Sequence, residues 1–276
     1  MRKVMLGVLA AVSAWGLCAR AETVDEAVDR LAKAAEAVKD LTAKSDMVMN
    51  ATNPMTKAPM KITAAMDMQM LNDAGTRLFR TANQMTQEGA LPGGAKMQIT
   101  TLVVFDGQIA WVESKNPMLP QPIVVKMKME TLSRMQGGVK GGMGLGIQDV
   151  KQAVAQLKQM FDLKLLGAGT AMGRPTTRIE AIPKPEAIEK LPEIARTMMP
   201  ARLVTDYDDA TGTPLLMKAY DAQGKETMST TVADLKVNAG VDKALFTYTP
   251  PEGANVQDMT GKVPAGPDAP QPTPEK

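Results

Sequence analysis

The sequence contains no histidine, and Cys18 is its only cysteine. Catalytic triads and dyads that need histidine, and zinc sites built from histidine and cysteine, are therefore excluded. Aromatic side chains make up only 3% of the 276 residues, so there is little to stack against a sugar ring. We accordingly predict that the protein is not an enzyme and has neither a metal ion nor a cofactor.

The sequence is also short of net charge, with 32 Lys and Arg residues against 30 Asp and Glu residues. Three of the basic residues, Arg2, Lys3 and Arg20, lie within the first 21 positions, where there is no acidic residue. The rest of the chain is close to neutral. A chain so balanced has no electrostatic basis for binding nucleic acid.

The longest apolar run lies at the N-terminus and is too short to span a bilayer, which takes about 20 apolar residues. Two basic residues precede the largely apolar residues 4–17, and Ala-Arg-Ala at 19–21 fits a signal-peptidase site. Residues 1–21 are therefore predicted to be a cleaved secretory signal peptide, and the exported chain to begin at Glu22. We do not expect the exported protein to be integral to a membrane.

Cys18 leaves one alternative open. Cleavage just before this residue would make it the lipid-bearing residue of an anchored lipoprotein, but Leu17 is larger than the residue that lipoprotein signals place there. On the main interpretation the mature chain has no cysteine. No disulfide can then stabilise it, and its stability must come from packing.

A helix is predicted directly after the signal peptide. Thr23 and Glu26 form a T-x-x-E capping box, in which each side chain accepts a hydrogen bond from a backbone N–H at the start of the helix. The apolar residues that follow are spaced by three and four and predict one apolar stripe. They are Val24, Val28, Leu31, Ala35, Val38 and Leu41.

From Ser45 the apolar pattern changes to a period of two, which predicts half-buried strands. The alternation is clearest in residues 60–70, and residues 123–130 repeat it. Asp106-Gly107, a dipeptide typical of tight hairpin turns, separates the runs 101–105 and 108–112. Further runs lie at 176–182, 215–220 and 228–237. Together they predict an α+β fold with a single, strongly curved antiparallel sheet.

The strand pattern is interrupted by a glycine-rich loop at 137–146 with a second helix after it, and again by a weaker third helix predicted over residues 185–198 and broken near Pro192. Apolar residues at helical spacing define the second helix: Ile147, Val150, Val154, Leu157 and Phe161. Residues 261–276 include five prolines and predict a disordered tail. Because there is neither a repeat nor a linker, we predict one domain over residues 22–260.

Two motifs have ordinary structural explanations. The glycine-rich loop lacks the Gly-Lys-Ser/Thr ending of a phosphate-binding loop, so a flexible connection is favoured. Asp206, Asp208 and Asp209 resemble part of a calcium loop, but Ala210 stands where the next ligand is needed. We interpret these aspartates as part of a turn between strands.

Methionine is unusually abundant, with 23 residues in the chain. Its side chain is unbranched and polarizable, and it adapts to irregular apolar shapes. Two interpretations stay open. The methionines either fill a solid core in place of Leu and Phe, or they form the deformable wall of a cavity that accepts flexible hydrocarbon chains.

Residues 241–256, VDKALFTYTPPEGANV, resemble the C-terminal signature of LolA-type periplasmic carriers, which belong to the lipoprotein-sorting family. The hairpin at 104–111 is similar to the D-G-x-x-x-W strand pair of that family. Two further similar segments are Gly173-Arg174 with residues 176–180, and residues 209–214. The segments occur in the family's order and span most of residues 23–260.

The resemblance implies an incomplete β-barrel, closed by a helical lid. It also implies a monomeric periplasmic carrier that binds lipid or the acyl chains of lipoproteins in an apolar cavity. Such a carrier takes its cargo from an inner-membrane transporter and passes it to an outer-membrane receptor. The alternative, on the same fold, is a sensor or regulatory module that reports lipid or lipoprotein to a membrane partner.

The apolar faces of the predicted strands and helices indicate where such a cavity would lie. The residues predicted to line it are Met66, Met68, Phe105, Trp111, Val125 and Met127. The residues predicted for the lid are Leu31, Val38, Val154 and Leu157.

Overall fold

The computed structural model describes residues 22–52, 58–89, 95–135, 155, 157–189, 196 and 199–261. The predicted signal peptide, the glycine-rich loop and the proline-rich residues beyond Gly261 lie outside these ranges. In the ranges themselves, no helix combines the length and the apolar character needed to cross a membrane.

Twelve strands form one sheet, and short helices lie between some of them. The described helices are α1 (Val24–Glu36), α2 (Met129–Met135) and α3 (Pro185–Glu189), and a 3₁₀ turn covers Lys243–Phe246. The strands are β1 (Asp40–Thr52), β2 (Pro59–Asp73), β3 (Thr76–Glu88), β4 (Met97–Phe105), β5 (Ile109–Lys115), β6 (Ile123–Lys128), β7 (Phe161–Ala171), β8 (Arg174–Pro183), β9 (Arg202–Asp208), β10 (Pro214–Tyr220), β11 (Glu226–Val237) and β12 (Asn255–Asp258).

The strand order is β12-β6-β5-β4-β3-β2-β1-β11-β10-β9-β8-β7, so β1 lies near the middle of the sheet. Neighbouring strands are antiparallel, except that β12 runs parallel to β6. The edge strands β7 and β12 are not paired with each other, so the described sheet is open. The predicted fold class, one antiparallel sheet with helices and an unclosed barrel, is confirmed, and the parallel β12 is an addition to it.

The sheet curves so that one edge approaches its middle. A single buried cluster contains Ala171 at the end of β7, Leu215 of β10 and Met70 of β2. Strands β8 and β9 separate β7 from β10, which would place Ala171 about 14 Å from β10 in a flat sheet. We call the face that carries Met68, against which α1 and α2 pack, the inner face, and the opposite face the outer face.

Helix α1 begins as the sequence predicts but ends earlier. Thr23 is the N-cap, and its side chain and that of Glu26 form the reciprocal capping box. The predicted continuation of the stripe through Val38 and Leu41 is wrong, because the helix ends at Glu36. The side chains of Val38 and Leu41 are nevertheless buried. Leu41 is buried because the period-two pattern of β1 places it on the inner face.

The boundary between the second predicted helix and the sheet also differs from the prediction. The sequence pattern extends this helix to Phe161, but Phe161 begins β7 and pairs with Pro183 of β8. Residues 157–160 are helical. The side chain of Phe161 is buried in either conformation, so its apolar character alone does not reveal where the helix stops.

Candidate functional site

The two faces of the sheet differ in polarity, and β2 shows the difference most clearly. Its inner positions are Met60, Ile62, Ala64, Met66, Met68 and Met70, and its outer positions include Lys61, Thr63, Asp67 and Gln69. Because residues paired across antiparallel strands point to the same side, the register carries this division to the neighbouring strands. The inner face is therefore apolar over the central strands.

Every methionine of the described strands lies on the inner face. The register places there Met47, Met49, Met60, Met66, Met68, Met70, Met85, Met97, Met127, Met217 and Met228. A solid core would place methionines on this face too, so a core and a cavity wall differ in how far the face is covered. The inner surface is in either case built largely from flexible thioether side chains.

Coverage of this methionine surface is uneven. Met68 and Met70 are 2% and 5% exposed, whereas Met66, Met85 and Met97 on the same face are only partly buried. Contiguous apolar surface that is not fully covered marks an interaction site in a soluble protein. The middle of the inner face is the candidate site.

Helix α1 covers the inner face at the β7–β9 end. Val28 and Leu31 form a buried cluster with Ile179 of β8, and Leu163 and Tyr207 pack against it. The apolar side of this amphipathic helix thus occupies part of the surface that a ligand would use.

Polar contacts attach α1 to the strands. The Arg30 guanidinium donates hydrogen bonds to Thr177 Oγ1 at 2.7 Å, to Asp209 Oδ1 at 2.9 Å and to Glu22 Oε1 at 3.0 Å. Lys158 also pairs with Asp25. Exposed ion pairs of this kind contribute about 0–1 kcal/mol each. They can hold the helix without preventing its movement.

Helix α2 covers the other part of the inner face, over β5 and β6. Leu132 forms a buried cluster with Phe79, Ala110 and Met127, and Phe105 packs against this cluster. The ring centroids of Phe79 and Phe105 are 5.4 Å apart. The two helices therefore flank the less covered centre of the face.

Most of the predicted cavity residues share the inner face. They are Met66, Met68, Phe105, Val125 and Met127. Their contact with a ligand stays a prediction, but the structure brings them to one continuous surface.

Trp111 lies on the outer face instead. Phe105 pairs with Ala110, so Trp111, the next residue along β5, points to the opposite side and pairs with Val104. Its ring centroid is 5.5 Å from that of Tyr248 in the C-terminal segment. The hairpin turns at Gly107 and Gln108, one residue later than the Asp106-Gly107 turn that the sequence suggests, because Asp106 lies opposite Ile109. Either two-residue turn places Trp111 on the face opposite to Phe105, so its geometry would have assigned the face correctly.

The predicted lid residues fall into different elements. Leu31 lies on the inner side of α1 and is 1% exposed. Val38 follows the helix and belongs to the cluster around Leu41. Leu157 packs against the cluster that contains Phe161, and Val154 lies outside the described residues.

Sequence reasoning missed two polar residues on the inner face. Thr81 and Asn83 are inner positions of β3, a strand that the period-two analysis did not identify because polar residues interrupt its apolar side. Thr81 Oγ1 and Asn83 Oδ1 are buried and have no hydrogen-bond partner within the described ranges. Their regular spacing with Phe79 and Met85 was the available signal.

On the outer face, two aspartates of the predicted turn are buried and form ion pairs with partly exposed arginines. Arg178 donates to Asp206 at 2.6 and 2.9 Å, and Arg174 donates to Asp208 at 2.9 Å through two nitrogens. Both aspartates are 1% exposed. Burial raises the pKa of Asp208, but hydrogen bonds from Arg174 and Thr211 outweigh it, so the pKa lies below its usual value. The described part of the chain holds no cluster of acidic, His or Cys side chains suited to a metal ion.

The C-terminal segment covers the outer face of β3–β6. Phe246 is buried, the 3₁₀ turn lies against β3, and Tyr248 donates a hydrogen bond of 2.6 Å to Glu113. Burial and this bond raise the pKa of the Tyr248 hydroxyl. Burial also acts to raise the pKa of Glu113, but hydrogen bonds from Lys115 and Tyr248 lower it overall. The segment that carries the family resemblance therefore supports the outer face and does not line the inner one.

No protein-family model matches the sequence, and no curated protein matches it. Among solved structures, MucB is similar over 82% of this chain, with 14% identity and a TM-score of 0.44. The match covers 62% of MucB, so this chain spans about three fifths of its length.

Two further solved structures are similar over most of both chains. An uncharacterised conserved protein from Thermus thermophilus matches over 85% of this chain and 98% of its own, with 15% identity and a TM-score of 0.43. A putative outer membrane lipoprotein-sorting protein domain from Vibrio parahaemolyticus matches over 80% and 94%, with 14% identity and a TM-score of 0.32. The structures similar to this chain thus include a domain of the lipoprotein-sorting family that its motifs resemble.

Proposed function

We propose that the protein binds the acyl chains of lipids or lipoproteins against its inner face and carries them through the periplasm to the outer membrane. The observation that supports this most directly is the confinement of every described strand methionine to one incompletely covered face. Flexible thioethers suit a hydrocarbon ligand that has no fixed shape. In the described strands the outer face carries no methionine and is more polar, with ion pairs that involve Asp206 and Asp208.

The helices explain how such a carrier releases its cargo. Complete burial of a 16-carbon chain would yield about 12 kcal/mol, at about 0.8 kcal/mol per methylene. Binding of that strength would make transfer slow. In the closed form, Val28 and Leu31 of α1 already cover part of the inner face, so a ligand replaces existing apolar contacts and the net gain is smaller.

The direction of transfer is part of the proposal. The predicted signal peptide places the chain outside the cytoplasm, and the family resemblance suggests an inner-membrane transporter as donor and an outer-membrane receptor as acceptor. A protein with this task has to hold its cargo reversibly, which the replaceable contacts of α1 allow.

A pair of neighbouring substitutions on β2 tests the binding surface. Met66→Lys places a charge on the inner face, whereas Ala65→Lys places the same charge on the exposed outer face. We expect Met66→Lys to weaken displacement of a fluorescent fatty acid at least tenfold and Ala65→Lys to leave it unchanged, with both variants folded by circular dichroism.

Equal lipid binding by both variants would contradict the assignment of the inner face. A different result would favour the sensor alternative: no lipid bound to any form, and a membrane signalling protein recovered stoichiometrically in a pull-down. MucB, for comparison, has been solved in complex with MucA.

A further inference from the structure

A row of polar side chains crosses the middle of the largely apolar inner face. Asn83 of β3 pairs with Thr101 of β4, which pairs with Ser114 of β5, and all three residues point inward. On the other side of Asn83 lies Met66, which pairs with Ser45. The row is thus continuous with the methionine surface.

Less polar rows flank this row on both sides. One flanking row contains Ala64, Met85 and Ile99, and the other contains Met68, Thr81 and Val103. Inner positions of one strand are about 7 Å apart, so a ligand lying along β3 passes from Phe79 over the polar Thr81 and Asn83 to Met85. A chain with a polar group between apolar parts matches this sequence of surroundings.

Two atoms at the row lack partners. Asn83 Oδ1 and Thr81 Oγ1 are buried, and within the described residues neither takes part in a hydrogen bond. Buried polar atoms are almost always paired, so these two atoms are available to a ligand that brings a hydrogen-bond donor or acceptor to this face. Met66 and Met68, their neighbours on β2, are flexible enough to move aside for one.

We propose that the inner face recognises acyl chains whose linkage carries a hydrogen-bond donor, an amide above all, in preference to esters. This inference rests on the proposed function and specifies the ligand of the same site. An amide N–H donates to Asn83 Oδ1 while its carbonyl oxygen, which points the opposite way in a trans amide, accepts from the Thr81 hydroxyl. An ester has only acceptors and leaves Asn83 Oδ1 unpaired.

The test compares two ligands of the same size. N-methylmyristamide and methyl myristate differ only in an N–H in place of an oxygen, and each is titrated against a bound fluorescent fatty acid. We expect the amide to bind about tenfold more tightly than the ester, the fold-change that corresponds to one additional buried hydrogen bond.

Substitutions on β3 test which of its residues cause the preference for the amide over the ester. In Asn83→Leu the preference should be lost or reversed in favour of the ester, because the amide N–H is then buried without an acceptor, and in Thr81→Val the preference should fall. Gln84→Leu, on the exposed outer side of the same strand, is the matched control and should keep the full preference. Asn83→Leu should also raise the Tm of the ligand-free protein, because it removes an unpaired buried polar group.

The outcomes separate this inference from the proposed function. Equal affinity of the wild type for both ligands, or a preference that survives in Asn83→Leu, overturns the inference while acyl binding itself stands. Failure of both ligands to displace the fluorescent fatty acid overturns the two together.

Discussion

A single methyl group at Gly212 should loosen α1. Gly212 lies in the turn between β9 and β10 with φ +66°, and a Cβ atom there would be 2.5 Å from the Leu31 carbonyl oxygen and 3.2 Å from Ala35 Cβ. Both contacts are on α1, and the closer one is backbone. The Gly212→Ala substitution therefore requires the helix to move away from the strands.

Gly224 provides the matched control. It lies in the turn between β10 and β11 with φ +78°, and a Cβ atom there would meet nothing within 4 Å. Each Gly→Ala change costs about 1–2 kcal/mol for placing a side chain in the left-handed region. Gly212→Ala adds about 1–3 kcal/mol for the steric conflict with α1. Urea unfolding monitored by circular dichroism should show this difference between the two variants.

The same pair tests whether α1 acts as a lid. If an acyl chain binds by displacing α1, weakening the packing of α1 on the sheet by about 1–3 kcal/mol should raise the affinity for the acyl chain about 5- to 150-fold. The affinity of Gly224→Ala should equal that of the wild type. Refutation would be a Gly212→Ala variant that matches Gly224→Ala in both stability and lipid affinity, since α1 would then neither contact Gly212 nor compete with the ligand.

The remaining predictions concern the outer face. Arg178→Ala leaves the buried Asp206 carboxylate without its partner and should lower the free energy of unfolding by about 1–3 kcal/mol in urea titrations, less than for a fully buried pair because the Arg178 side chain is 40% exposed; a loss below about 0.5 kcal/mol would show that the pair does not stabilise the fold. The pKa of Asp208 is lower in the folded protein than its usual value of 3.8. The ionised side chain therefore stabilises the fold fully above pH 3.8, and this stabilisation is lost as the pH falls through the pKa of the folded state. The unfolding free energy of Asp208→Asn should consequently depend less on pH below about 4 than that of the wild type. The pKa of Tyr248 is raised, so its protonated hydroxyl stabilises the fold fully below about pH 10, and this stabilisation is lost at higher pH as the tyrosine ionises in the unfolded chain. Tyr248→Phe should remove this part of the dependence of the unfolding free energy on alkaline pH.

Much of the sheet could be predicted because one face of it is largely apolar. From Met60 to Met70 every inner residue of β2 is apolar and most outer ones are polar, so the period of two is plain in the sequence. In β3 the inner positions include Thr81 and Asn83, and the alternation is lost even though the strand is one of the longest. Polar residues in an apolar surface thus conceal the strand that carries them.

Local sequence patterns also do not determine where a helix or strand ends, or on which face of the sheet a side chain lies. Val38 and Leu41 fit a helical stripe as well as the start of β1, and only the end of α1 at Glu36 distinguishes the two. Trp111 is large and apolar and so fits a cavity, but the hairpin register turns it outward. Whether the methionines form a core or a cavity wall depends on coverage by helices, which is a tertiary property.

The most direct test of a lipid-binding inner face is native mass spectrometry of the protein isolated from a bacterial periplasm. We expect the wild type and Ala65→Lys to carry the added mass of an acyl-bearing molecule, and Met66→Lys to lack it. The same ligand-free mass for all three proteins, under conditions that preserve the lipid complex of a known carrier, would contradict the account.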